Sequence, residues 1–455
     1  MHANTTRFFV ASFWFVVGAA LLAPVTKAAA ATGNGAGNNE ATPEATKDTG
    51  AAPRDPTPPP APLFALPIGD LTLSLAPYAQ YRPRAEFIGD RALTSEAIAT
   101  VVTHRARLGL VARTGSIMHL RIEMQDVRAF GAELAPPSEP PDPTVFGRVE
   151  GSIDMHQAYL ALTFTPLVEV RIGRQEINVD NQRIVGALDW AQRARTFDGV
   201  RVLGAKDDTL AYSFAAFTIS DRDVNPTLGD AWLAIAALDV LVIPKHKLHM
   251  AAFYDAQLST PRQRATAGGR FAGGIAGFDY EIETYAQGSR KDDGIRYAAL
   301  AGLRFGYTLD VLLHPSAGFV VDVLSGAPGG VDAPGLTTFD PFYGLNHAFY
   351  GYQDLFTNLP LHTKNQGLVD VAARVGLSEG PFSARAFVHV FAPTSSTAAL
   401  PLYGVEPDLV VGYAPFRGLR VEGGASLFVP VGDALGRGTR MAPWAYAQLA
   451  GDIGS

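Results

Sequence analysis

From Leu71 onward, apolar and polar side chains alternate with period two, in runs of about ten residues separated by turn residues. Nothing else in the sequence constrains its fold as tightly. Successive side chains of a strand point to opposite faces, so each run carries one oily face and one polar face. Past the first 30 residues no window approaches about 18 continuous apolar residues, so no membrane-spanning helix is expected. The stretch from Asp154 to Val202 shows the pattern most clearly. Leu160, Leu162 and Phe164 share one face, while Gln157, Tyr159, Ala161 and Thr163 share the other. Val168, Val170 and Ile172 likewise oppose Glu169, Arg171, Gly173 and Gln175. An Arg or Gln inside such a strand needs water or a polar partner, because burying it unpaired is costly. The polar face should therefore line something wet, and the oily face should meet lipid.

Other runs repeat this. Arg105, Arg107 and Arg113 oppose Ala106, Leu108, Leu110 and Ala112. His119, Arg121, Glu123 and Gln125 oppose Met118, Leu120, Ile122 and Met124, and Arg304 opposes Leu303 and Phe305. With no helix to span a membrane, only a closed barrel satisfies every backbone group in lipid. The connections alternate between short and long. The short ones are 113–116, 165–167, 205–208, 244–247, 289–294, 325–330, 378–381 and 415–418, and the intervening ones include 128–152, 176–197, 256–270 and 392–404. Short turns belong on the periplasmic side and long loops outside. Seventeen runs are visible. An even count with both termini periplasmic requires one more, expected between Val331 and Gln366, and the last strand is expected over Met441–Leu449. The fold class is all-β: a single 18-stranded antiparallel transmembrane β-barrel with short periplasmic turns and long extracellular loops. Tyr78, Tyr81, Phe130, Tyr285, Tyr307 and Trp444 lie near run ends, where aromatic rings suit the headgroup level.

The amino terminus sets the compartment. Arg7, the apolar run Phe8–Leu22, Pro24 and Ala28-Ala29-Ala30 read as a secretory signal over residues 1–30. Residues 31–62 are poor in large apolar side chains and end in a proline-rich stretch, so they are expected to be a disordered leader, with the barrel over 63–455. A net charge of −7 argues against a nucleic-acid partner, which wants a basic field. The absence of cysteine excludes disulfides, thiolate metal sites, a cysteine nucleophile and a lipidated amino-terminal cysteine.

Gln157-Ala158-Tyr159, Gly173-Arg174-Gln175-Glu176, Arg183, Asp189-Trp190 and Arg195-Thr196-Phe197-Asp198-Gly199-Val200 together resemble the signature of the alginate-export family of outer-membrane β-barrels. A second block is similar to that family's later segment: Phe339-Asp340-Pro341, His347, Tyr350-Gly351-Tyr352-Gln353-Asp354-Leu355 and Gly367-Leu368-Val369-Asp370. Val179-Asp180-Asn181 departs from it, standing where the family usually has Tyr-Gly-Asp. The resemblance implies 18 strands and export of an anionic polysaccharide such as a polyuronate.

An 18-strand wall is wide enough for an aqueous lumen unless something fills it. The polar loop Asn178–Thr196, with Arg183, Asp189, Arg193 and Arg195, is expected to fold inward and narrow it. Inward-facing Arg105, Arg107, Arg121, Arg171, Arg201 and Arg304 would add a positive lining, interrupted by Glu123. Arg174, Gln175 and Asp198, at the ends of neighbouring strands, complete the residues expected to line the pore. Rings of Arg select anions, and the guanidinium fork fits a carboxylate. The competing reading pairs these arginines with Glu123, Glu169, Asp198, Glu281 and Glu283 across strands. No catalytic motif is present, and His246 and His249 read as a solvated turn rather than a metal site. The expected function is passive export of an anionic polysaccharide from the Gram-negative outer membrane, by a monomer without cofactor, with a periplasmic export partner. An anion-preferring porin for small solutes is the alternative, and a secreted soluble β-rich binding protein is a third reading.

Overall fold

The computed structural model describes residues 62–69, 71–130, 152–165, 167–220, 230–257, 262–395 and 401–454. The segments read as signal and leader lie outside the described residues. Twenty strands follow in order: β1 (Phe64–Ile68), β2 (Leu71–Gly89), β3 (Ile98–Thr114), β4 (Met118–Ala129), β5 (Ser152–Thr165), β6 (Val168–Gln175) and β7 (Phe197–Lys206). Next come β8 (Leu210–Ser220), β9 (Ala231–Val240), β10 (His246–Gln257), β11 (Arg262–Ile275), β12 (Phe278–Lys291), β13 (Gly294–Thr308) and β14 (Ser316–Leu324). The last are β15 (Gly335–Leu336), β16 (Leu368–Glu379), β17 (Phe382–Ala392), β18 (Gly404–Phe416), β19 (Leu419–Pro430) and β20 (Ala442–Ile453).

Eighteen of them, β2–β14 and β16–β20, form a closed antiparallel barrel: each pairs with its neighbour, and β20 pairs back onto β2 from Ala79↔Ile453 to Ile88↔Trp444. Closure leaves no open edge in the wall. β1 pairs with the start of β2, from Phe64↔Leu75 to Ile68↔Leu71, prolonging the wall below the end of β20. The two-residue β15 lies parallel to the top of β13.

Alternation decides what each residue faces. On β4, Met118, Leu120, Ile122 and Met124 are 39–44% exposed toward the lipid side, while Arg121, Glu123 and Gln125 are at most 4% exposed inside. The same parity puts Leu108 outside and Arg105 inside on β3, and Ile172 outside and Arg171 inside on β6.

Several expectations need correction. No barrel strand lies between Val331 and Gln366, where the described strand is the short β15. The strand that restores the even count is β11, part of which reads in sequence as a loop. Its alternation is obscured by Gly268, Gly269, Gly273 and Gly274, which accommodate close neighbours: the Tyr285 ring lies against Gly268 and the His246 ring against Gly273. Residues 289–294 make a tight turn at the long-loop end, and 325–330 open a long segment. The short connections missed are 276–277 and 309–315. Tyr81, Phe130 and Tyr307 are exposed on the wall, but Tyr285 and Trp444 are buried inside and Tyr78 donates inward to Glu123. β20 continues past Leu449 to Ile453.

Candidate functional site

Two connections turn back into the barrel and meet there. The first, residues 176–196, buries Ile177, Val179, Ile184 and Val185; the second, 325–367, buries Phe339, Phe349, Tyr350, Leu355 and Phe356. Val185 bridges Tyr343 in parallel, Tyr343 N donates to Ile184 O at 3.1 Å, and Leu345 N donates to Gln182 O at 2.9 Å. Both pack on inward apolar residues near the long-loop ends of the strands, among them Phe217, Leu233, Phe253, Leu300, Phe391 and Phe428. An apolar core thus occupies the extracellular half of the lumen. The two blocks of sequence that carry the family resemblance are the two sides of this one assembly.

Arg183 is its centre. It has no exposed surface, and its guanidinium donates to Glu283 at 3.0 Å, to both oxygens of Asp322 at 2.9 and 3.0 Å, and to Tyr350 Oη at 3.1 Å. The Phe349 ring covers it at 3.7 Å. Burial opposes the charge, but Asp322, Tyr350 and Glu283 more than offset that and raise its pKa. Asp180 holds a left-handed φ of 52°. Its carboxylate is taken by Arg270 and by Lys247 at 2.7 Å, ties that offset the backbone cost.

A second clamp holds the tip of the first segment. Arg82 donates to the carbonyls of Asp189 (2.8 Å) and Ala191 (2.7 Å), Arg84 donates to that of Trp190 (2.6 Å), and Arg105 reaches Asp189 Oδ1 at 2.8 Å. Arg107 lies 3.2 Å from the same carboxylate. Asp189 is enclosed by the wall, yet its side chain is 53% exposed, so it faces water inside the barrel. Burial resists its ionisation, but Arg105, Arg107 and Arg82 prevail and hold its carboxyl below the usual range. Trp190 stacks on His347 of the second segment, with centroids 4.2 Å apart.

The other residues expected at the pore sort into distinct places. Arg121 pairs with Glu123 at 3.3 Å, Arg171 with Glu169 at 2.5 Å, and Arg201 donates to Ser213 at 2.8 Å, all on the inner face. Gln175 is fully buried, and Arg195 donates to the Tyr343 carbonyl. Arg304 bonds Glu281 and lies 3.5 Å from Asp322. Arg193 and Asp154 pair in the open at the extracellular mouth, 45% and 40% exposed. Arg174 and Asp198 pair with each other at 2.7 Å on the outward parity, so they do not line the lumen. Each acid named as a competing partner, Glu123, Glu169, Asp198, Glu281 and Glu283, does hold an arginine.

Sequence reasoning missed three inward arginines in the periplasmic half of the wall. Arg374 (29% exposed) pairs with Asp279 (50%), Arg420 (47%) pairs with Glu422, and Arg385 is exposed on the inward parity of β17. Period-two counting from Asp370 and Glu422 finds the first two. Between the second segment and β13–β18 lies a cavity of about 120 Å³, lined by Arg304, Arg374, His347, Tyr352, Phe387, His389 and Asp408 among others. His249 is buried in β10, bonded to Asp239, rather than in a solvated turn. Among the described residues two groups bring ligand-type atoms together, Glu123–His156–Glu176 and Asp180–Asp239–His249. Arg107 stands at the first, and Lys247 and Arg270 at the second, supplying the positive charge a metal would bring.

A profile described as alginate export matches residues 75–378, more than half of the chain and both inward segments. The chain belongs to the alginate export family. No curated protein matches it. Among solved structures, this alginate export family barrel is similar to OccAB1 of Acinetobacter baumannii at 12% identity, over 83% of this chain and 96% of that one, with a TM-score of 0.58. It is also similar to Pseudomonas aeruginosa OpdK with vanillate (10% identity, 83% and 98% covered, TM-score 0.55). A BenF-like porin of Pseudomonas fluorescens Pf-5 is a third (11%, 83% and 98%, TM-score 0.56). At these identities the likeness is one of fold: the chain has the closed 18-stranded β-barrel fold used by outer-membrane channels.

Proposed function

We propose that this barrel is a passive, anion-preferring channel for small carboxylate solutes. The observation that carries the reading is the set of partly exposed arginines, Arg374, Arg385 and Arg420, on the inner face of the periplasmic half, beneath the two inward segments. Each paired arginine there keeps further N–H donors beyond its carboxylate partner, and a permeant must be held weakly at several such points in order to leave. The filled extracellular half favours small solutes over a wide polymer. The presence of vanillate, a carboxylate, in the similarly folded OpdK agrees with this. In planar bilayers the purified protein should pass anions over cations in a salt gradient, and a cation-preferring current would overturn the proposal.

A second reading, export of an anionic polysaccharide such as a polyuronate, is supported by membership of the alginate export family. Uronate oligomers blocking the current at far lower concentration than the monomer would favour it. Equal block by both would favour the small-solute channel. No catalytic role is proposed.

A further inference from the structure

The 120 Å³ cavity beneath the second segment has two chemically different ends. At one end stand Arg304, which bonds Glu281 and reaches Asp322 at 3.5 Å, and Arg374, which bonds Asp279; each keeps N–H donors beyond these contacts. At the other stands Asp408. It is 4% exposed, and neither of its carboxylate oxygens completes a hydrogen bond, although Ser426, Glu406 and the Tyr352 backbone lie close by. The basic side chain facing it, His389, has its Nε2 3.6 Å away and is itself oriented by Asp370, which sits 2.9 Å from its Nδ1. A buried carboxylate without a donor is expensive, so it calls for a partner. Rings line the space between: Tyr352 and Phe387 meet edge to face at 6.1 Å, and Phe349 lies 5.0 Å from the Arg304 guanidinium.

We infer that this cavity is a binding site for a small ring-bearing carboxylic acid with a hydrogen-bond donor opposite its carboxylate. The carboxylate goes to Arg304 and Arg374, the ring lies among Tyr352, Phe387 and Phe349, and the donor supplies Asp408 with its missing bond. A carboxylate without the far donor fills only one end. An alcohol without the carboxylate fills only the other.

The inference rests on the small-anion reading of the channel, so its test must fail separately from that reading. Block of single-channel current is measured with 4-hydroxybenzoate, benzoate and 4-hydroxybenzyl alcohol, with the reversal potential recorded in the same membranes. 4-Hydroxybenzoate should block at a concentration at least about tenfold below that of either analogue, since a site built to bond a substrate hydroxyl rejects the analogue lacking it. Asp408→Val should raise its blocking concentration to that of benzoate and leave benzoate unchanged. Arg374→Gln should weaken both acids together and preserve their ratio, so it tests the site even if the Asp408 variant does not fold. Equal block by 4-hydroxybenzoate and benzoate in the unaltered protein, with anion preference intact, would overturn this site alone. A cation-preferring reversal potential would overturn the channel reading with it.

Discussion

Arg183 and Arg374 both project into the same barrel, and they do opposite things. Arg183 is sealed among Glu283, Asp322, Tyr350 and Phe349, while Arg374 keeps 29% of its side chain in water beside a half-exposed Asp279. The difference is one of height. In the extracellular half two segments fold in and cover Arg183, which keeps its charge there because it is fully paired. In the periplasmic half nothing of the kind covers the described wall, and a paired arginine still presents donors to whatever passes. Residue type tells little about role here; desolvation decides it.

The contrast can be broken at its dry end first. Arg183→Ala leaves Glu283 and Asp322 buried without their cation, a loss of about 3–5 kcal/mol. The two segments should come loose, lowering the heat-modification temperature and raising single-channel conductance. Unchanged conductance would mean the segments hold by apolar packing alone. Asp189→Asn is expected to cost only about 1 kcal/mol, because the carboxylate is half exposed and its bond to Arg105 is correspondingly screened. It should also increase anion preference by freeing charge on Arg105 and Arg107. Because Asp189 titrates below the ordinary 3.8, its contribution is complete above that pH and fades only as the pH falls below it. A wild-type reversal potential that moves between pH 5 and 7 would therefore need another source.

At the wet end the expected change is in selectivity, with almost none in stability. Arg374→Gln with Arg420→Gln should shift the reversal potential toward neutrality, while the heat-modification temperature moves by less than about 1 kcal/mol implies. A large stability loss would place these arginines with Arg183 instead. The smallest effect concerns His362, at the end of the short helix Leu359–His362 in the second segment. Burial and the neighbouring Arg437 push its pKa down to about 4, and its neutral Nδ1 accepts the Asn358 N–H at 3.2 Å. The folded form binds the proton less readily than the unfolded one. Its contribution is therefore full above pH 6.5 and is lost as the pH falls toward 4. Amide exchange in residues 358–366 should quicken over that window and stay flat in β16.

The wall was legible because lipid enforces it. One face of every strand must be oily, and a register slip of one residue would invert every side chain. Leu108 against Arg105 and Met124 against Glu123 carry that signal locally. β11 lost it to glycines that make room for neighbouring rings. Residues 325–367 lack any period, since a segment folded inside a lumen meets different surroundings at each residue, and the demand for an even strand count misassigned it. Parity gave the direction of Arg105 but not its partner, Asp189, which is 84 positions away. Arg174 shows the converse: its outward parity was legible, and the family motif drew it toward the pore.

The separation of a dry, pinned half from a wet, arginine-bearing half is tested most directly by one bilayer recording. The reversal potential in a salt gradient is compared between the unaltered channel and the Arg374→Gln, Arg420→Gln variant. The account predicts anion preference that falls in the variant with no change in thermal stability. A cation-preferring wild type, or a variant whose selectivity is untouched, would contradict it.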